Sequence, residues 1–294
     1  MLRKGLSSLS FRGTGIGMMS RATKTFQQAT SSNLYCNRKL PARSFVSTPD
    51  HEYINFSLIG RPGSGKGTYG KLLSESLQCR FVVMGDVLRH HVQTKTVIGK
   101  EIAEYQREGR LADDQLVSKA LLSHLEMLFD DRDYEASETK RSDGNSKLGF
   151  ILDGFPRTVQ QAEASIFWPE KFSLSFAVNI DVPDSVCLDK MLGRRKCTIC
   201  NESLNVSDVN TIDGFVMPPK LPSPFPCDQC DMDQDWEMRV DDTEEVILRR
   251  IAEFHEKSAP VSKFFQERGE LVNFVPYNGV ADINKMENLV KERI

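Results

Sequence analysis

The chain has 294 residues, 39% hydrophobic and 27% charged, with a formal net charge of -3. Such a composition belongs to an ordinary folded protein rather than a disordered one, and the length allows one large domain with smaller ones attached. No stretch approaches the roughly 18 consecutive apolar residues of a membrane span, and seven cysteines in this length are too few for a small secreted disulfide scaffold.

Residues 1–49 contain eight Arg or Lys and no Asp or Glu, so +8 here against -3 overall leaves -11 on the rest. The stretch is Ser-rich and has no long apolar core, the pattern of an organellar transit peptide read by an import machinery. The mitochondrion, in its matrix, is placed ahead of the plastid, and a basic tail serving some other acidic surface is the alternative. The acidic body has no general attraction for nucleic acid. Folded structure is expected from near Tyr53.

"YINFSLIG" reads as a buried strand, and "TYGKLLSESLQC" as a helix with Tyr69, Leu72, Leu73 and Leu77 on one face. Further strands are expected in "RFVVM", "KLGFILD", "SLSFAVNID" and "ELVNFVPY". Helices are expected in "DDQLVSKALLSHLEMLF" and in "DTEEVILRRIAEFHEKSAPVSKFF", the latter bent or broken near Pro260. In the last helix Ile283, Met286, Leu289 and Val290 share a face. Alternating strands and helices predict an α/β fold with a mostly parallel sheet covered on both sides. Ligands in such folds bind beyond the C-terminal strand ends. Residues 130–147, polar and Gly-containing, read as a solvated loop, and residues 197–239 as a small inserted domain.

The strongest single motif is "GRPGSGKGT", between the first strand and its helix. Gly60, Gly63 and Gly65 let the backbone curl around Ser64, so that successive N–H groups face phosphate oxygens. Lys66 brings a mobile positive charge to the outer phosphates, and the helix starting near Gly67 adds its dipole. Thr68 can place a hydroxyl near magnesium or a phosphate. This establishes a nucleoside triphosphate site without saying what is done there. In "GFILDGFPRTVQQA", Asp153 ends a strand where it can hold magnesium directly or through water. Arg157 can grip a phosphate with its fork. Gln161 offers the donor and acceptor needed to read a purine edge. Arg194, Arg195, Arg239, Arg249 and Arg250 provide further anion donors.

Taken in order, "GRPGSGKGT", "GDVLR", "ILDGFPRT", "GRR" and "RVDD" resemble the adenylate kinase family, in its form with a long, cysteine-bearing lid. The resemblance implies a P-loop type sheet with an inserted helical monophosphate-binding region and a lid, and reversible transfer from Mg-bound ATP to AMP giving two ADP. By position, Lys66 and its loop hold the donor phosphates, Arg89 and Arg157 the acceptor phosphate, and Gln161 the adenine of AMP. Arg194, Arg239 and Arg250 gather as the lid shuts, and Arg249 lies on the helix surface. The implied parts are core at 50–82, 113–193 and 241–294, the monophosphate domain at 83–112 and the lid at 194–240, in a monomer. Two departures stand out. Met84 replaces a threonine before "GD", and Lys190 replaces an arginine near the donor nucleotide, losing its planar fork. They keep open GTP:AMP phosphotransfer, or a nucleotide-binding protein weakened in turnover.

Cys197 and Cys200, then Cys227 and Cys230 after 26 residues, have the paired spacing that converges on one tetrahedral ion. Two disulfides are the alternative in oxidised protein. The implied lid gives zinc a structural use that favours it over an iron–sulfur cluster. Four sulfur ligands leave no open position for substrate, so the site is expected to brace rather than catalyse. "NTIDGFVMPPKLPSPFP", between the pairs, is expected to be an extended proline-rich loop.

Overall fold

A computed structural model describes residues 55–108, 112–129, 149–199, 203–221 and 236–294. The transit-peptide stretch, the whole of the loop at 130–147 and Cys200, Cys227 and Cys230 lie outside the described residues. Everything below belongs to one compact unit, Arg43–Ile294.

Strand β1 (Asn55–Ile59) is buried at all five positions, Asn55 and Ser57 included, which suits the middle of a parallel sheet. It pairs in parallel with β3 (Phe150–Asp153) on one side and β4 (Phe176–Ile180) on the other. Then β2 (Arg80–Val83) joins β3, and a late strand, Leu271–Phe274, joins β4, again in parallel. Phe56 stacks on Phe176 at 4.9 Å between ring centres. Alternate residues of β3 serve opposite faces. Ile151 joins a core with Phe56, Val178 and Met286, whereas Phe150 and Leu152 join another with Val82, Leu116 and Leu121. Truncating Phe56, fully buried, would cost about 3–5 kcal/mol.

Helix α1 (Lys66–Leu77) buries Tyr69 and Leu73 against this sheet. Two short helices, α2 (Met84–Gln93) and α3 (Val97–Arg107), come between β2 and α4 (Asp114–Leu128). Met84 thus starts a helix instead of ending a strand. A Cβ on Gly99 would lie 1.9 Å from the His91 carbonyl oxygen, so α2 and α3 touch backbone to backbone. After β3 come α5 (Val159–Ile166), β4 and α6 (Asp184–Leu192). The expected break near Pro260 takes a particular form. Helix α7 (Glu244–Glu253) widens into a π-helical turn at Phe254–Ser258 and resumes as α8 (Ala259–Glu267), with the proline in its first turn, where no N–H is needed. The last helix, α9 (Ile283–Lys291), buries Met286 and Val290. No described helix is long and apolar enough to cross a membrane.

Between α6 and α7 the chain forms an antiparallel sheet in the order β6–β5–β9, from Arg194–Cys197 (β5), Ser203–Asn205 (β6) and Trp236–Glu237 (β9). The expectation of an extended loop after β6 is corrected at its start. Val209–Asn210 (β7) and Val216–Met217 (β8) form a hairpin. Its turn is closed by Gly214 N–H donating to the Thr211 carbonyl at 3.0 Å, with Gly214 at a φ of 89°. Val209, Phe215 and Met217 are buried, and they join the main core. The late strand, Leu271–Phe274, is β10.

Candidate active site

The glycine-rich loop leaves β1 and enters α1 through two positions that exclude side chains. Gly63 has a φ of 89°, and a Cβ there would lie 2.5 Å from the Cys187 carbonyl oxygen of α6. Gly65, with a φ of 92°, is the left-handed cap of α1. No acidic residue occupies the first turn of α1, so its positive end is available to an anion. Ser64 is buried, and its hydroxyl has no protein partner. Lys66 folds back over the loop, donating to the carbonyls of Gly60 (2.6 Å) and Arg61 (2.8 Å). Burial lowers its proton affinity, and the nearby Arg157 and Arg250 lower it further, against the pull of Asp153. A phosphate entering the loop would relieve that crowding of positive charge. Arg61 braces the loop from outside through Asp181 (2.8 Å) and Asp184 (2.5 Å).

Asp153 lies at the end of β3, beside Gly67. Desolvation raises its affinity for a proton, while Lys66 and Arg157 favour the charged form. Arg157 is exposed, with Nε donating to the Gly154 carbonyl at 3.0 Å. Arg89 pairs with Asp86 one turn earlier on α2. Gln161 is buried and held at both ends. Its Oε1 accepts from the Arg157 amide at 2.7 Å, and its Nε2 donates to Asp114 Oδ1 at 2.7 Å. One lone pair and one N–H remain on its amide group. Asp114 also accepts from the Thr158 hydroxyl at 2.7 Å. This carboxylate went unread in the sequence, where "DD" signals only a helix start. Asp113 is indeed the cap of α4, accepting from the Leu116 amide at 2.8 Å, which leaves its neighbour for other work.

Three arginines, Arg194, Arg239 and Arg250, form an arm grouped about Asp241 and Asp242. Arg194 at the start of β5 makes a two-pronged pair with the fully buried Asp242, at 2.8 and 2.5 Å. Arg250 on α7 pairs with Asp241 at 3.2 Å. Burial lowers the proton affinity of Arg239, and its charged neighbours are Arg194, Arg250, Asp241 and Asp242. Arg195 is turned away onto the carbonyls of Leu192 and Arg194, and Arg249 is exposed on the helix surface. Thus Lys66, Asp153, Arg157 and Arg250 share one electrostatic neighbourhood, and Arg250 links it to Arg194 and Arg239. Lys190 lies apart, its ammonium donating to the carbonyls of Ser207 (3.3 Å) and Met217 (2.9 Å). Cys197 is buried and its sulfur accepts from the Ile199 amide at 3.4 Å. Among the described residues there is no cluster of three or more metal-ligating side chains.

A sequence model of the family described as adenylate kinase matches residues 58–270, spanning the loop, the cleft and the arm. The chain belongs to the adenylate kinase family. It is 32% identical to the GTP:AMP phosphotransferase of Plasmodium falciparum (isolate 3D7), over 79% of this chain and 94% of that protein. It is 30% identical to an adenylate kinase of Solanum tuberosum, over 96% of this chain and 91% of that one. Against adenylate kinase 1, chloroplastic, of Arabidopsis thaliana the identity is 31%, over 80% and 76% of the two chains. The expected α/β architecture stands, with the five-stranded parallel sheet flanked by helices. In this adenylate kinase family member both the glycine-rich loop and the Asp153 turn lie at C-terminal strand ends, where such sheets bind ligands.

Proposed function

We propose that the protein transfers the γ-phosphoryl group of Mg-bound ATP to AMP, reversibly, giving two ADP. The carrying observation is that Lys66, Arg157 and Arg250 share one charged neighbourhood, which Arg250 links to Arg239 and Arg194. These donors, with Asp153 beside Lys66 and Arg157, suit charge spread over transferring phosphoryl oxygens. A terminal phosphate oxygen of AMP attacks the γ-phosphorus, the bond to the bridging oxygen breaks, and ADP leaves with the electron pair. No protein nucleophile is needed; the chain supplies alignment, charge and exclusion of water.

Lys66 leaves its two carbonyls for the donor phosphates, which the loop amides from Gly63 to Thr68 cradle. Arg89 and Arg157 hold the phosphate of AMP. Gln161 presents its remaining N–H and lone pair to adenine. Arg194, Arg239 and Arg250 exchange carboxylate partners for phosphate as the arm comes down. Asp153, a hard oxygen donor beside the phosphate cradle, fits magnesium directly or through water, and that ion, when bound, neutralises charge across the donor phosphates. The assigned parts remain core at 50–82, 113–193 and 241–294, monophosphate domain at 83–112 and lid at 194–240, in a monomer.

A panel of ATP and GTP donors against AMP, CMP, UMP and GMP acceptors tests this reading. ATP with AMP should be fastest, and faster transfer to CMP than to AMP would overturn the role of Gln161. GTP as donor is the second reading. It is favoured by the withdrawal of Lys190 onto protein carbonyls and by the name of the Plasmodium relative.

Zinc held by Cys197, Cys200, Cys227 and Cys230 would brace the lid. The amide donated to the Cys197 sulfur fits a thiolate ligand, and β5 places Cys197 opposite Trp236, just beyond the second cysteine pair. Metal analysis of freshly reduced protein should find one zinc per chain, and none would count against the brace. Import into an organelle is supported by the basic, acid-free residues 1–49 and by chloroplastic relatives, with the mitochondrial matrix and the plastid as destinations. Fractionation of cells making the tagged protein separates the two.

A further inference from the structure

The segment Asn205 to Met217 interrupts the arginine arm, yet many of its contacts run to the core. Asn205 Nδ2 donates to the Lys190 carbonyl at 2.7 Å, and the Val206 amide donates to the Gly193 carbonyl at 2.8 Å. A Cβ on Gly193 would lie 2.7 Å from the Ser207 nitrogen, so the join between α6 and β5 is pressed against this segment. The hairpin then docks on the chain after β10. The Val216 amide donates to the Tyr277 carbonyl at 2.7 Å, and the Phe215 and Tyr277 rings lie 5.0 Å apart. Across the join, the Lys190 ammonium binds the carbonyls of Ser207 and Met217, one at each end of the hairpin.

We propose that residues 206–217 are a fixed post belonging to the core, and that Lys190 is the positioning residue that holds it. Resting on the phosphotransfer reading, the arginine strands then pivot at Gly193 and Asp242 around this post, instead of the whole of 194–240 moving as one body. Lifting the hairpin at every turnover would expose Val209, Phe215 and Met217 and strip an ammonium of two acceptors, so it belongs to the stable rather than the mobile part. The post also accounts for the lysine. A compact ammonium with rotatable donors reaches two separate carbonyls ten residues apart in the chain, Ser207 and Met217, whereas a guanidinium offers a rigid flat fork.

Amide hydrogen exchange on the full chain tests the post, measured free and with a dinucleotide of two adenosines joined by five phosphates. The Val216 amide should be equally slow in both states, while those of Lys196 in β5 and Glu237 in β9 slow on binding. Val216 protection rising in step with β5 and β9 would overturn the post. Lys190→Met should speed Val216 exchange and lower kcat about tenfold, leaving KM for ATP and AMP within about twofold. Lys190→Arg should not restore either property. A raised KM for ATP with Val216 exchange unchanged would make Lys190 a nucleotide contact and sink its positioning role. If Lys190→Met does not fold, the wild-type exchange pattern still decides the post. Wild-type protein that binds the dinucleotide but converts no ADP fails the functional reading, and the exchange pattern remains readable.

Discussion

The phosphate loop and the arginine arm, both proposed to meet phosphate, are built differently. The loop is shaped by backbone sterics, with Gly63 against a carbonyl of α6 and Gly65 in a left-handed cap. The arm is held by ion pairs, Arg194 to Asp242 and Arg250 to Asp241, whose carboxylates can give way to phosphate. Crowded backbone cannot relax without unfolding its surroundings, while an ion pair exchanges partners at modest cost. On the proposed reading, a rigid cradle and an exchangeable clamp give one surface that waits and another that responds.

That contrast can be broken at several points. Lys66→Met should lower kcat by about a thousandfold, because it removes the loop's charge from the transferring group, and AMP binding measured by calorimetry should persist. Gly63→Ala should destabilise the protein by about 3 kcal/mol in urea unfolding, since both φ and the contact with α6 are forbidden to a side chain. Asp242→Ala leaves Arg194 without its buried partner. Because that arginine is partly exposed, the stability loss should be smaller, about 2 kcal/mol, alongside reduced kcat. A change in melting as large as that of Gly63→Ala would blur the distinction between cradle and clamp.

Asp114→Ala should raise KM for AMP about tenfold with a smaller change in kcat, because Gln161 loses the carboxylate that orients its amide. The smallest effect concerns Asp153. Its folded-state carboxyl binds a proton more tightly than in the unfolded chain, so its ionisation opposes folding. That unfavourable contribution is fully present above the folded pKa and fades as pH falls towards the unfolded value. Asp153→Asn should therefore be at least as stable as the parent at pH 7, with the difference narrowing in acid, even though its phosphotransfer falls. Lower stability of the variant at pH 7 would contradict the desolvation account.

What could be read from the sequence follows the range of the interactions. The glycine loop was legible because its strand, turn and helix are contiguous, and Asp153 because it ends an apolar run. Asp114 was not, since its partner Gln161 lies 47 residues on and a doublet of acids before a helix looks like capping alone. The hairpin was missed for a similar reason. Val209, Phe215 and Met217 show no period within a proline-rich stretch, and the backbone they meet at Tyr277 is remote in the chain. For Lys190, the sequence implies a place near the donor nucleotide, whereas its carbonyl partners, Ser207 and Met217, lie 17 and 27 residues on and leave no local signal.

The two cysteines outside the lid and the N-terminal stretch, Cys79 and Cys187, are buried, and burial pushes their thiols up to about 11 and about 12. At neutral pH almost none of either exists as the reactive thiolate. An alkylating dye applied to the native protein should therefore pass over both, while still reporting on the remaining sulfurs. Native dye uptake before and after a chelator then becomes a direct test of the proposed zinc brace, and four newly reactive sulfurs would count its members without any crystal.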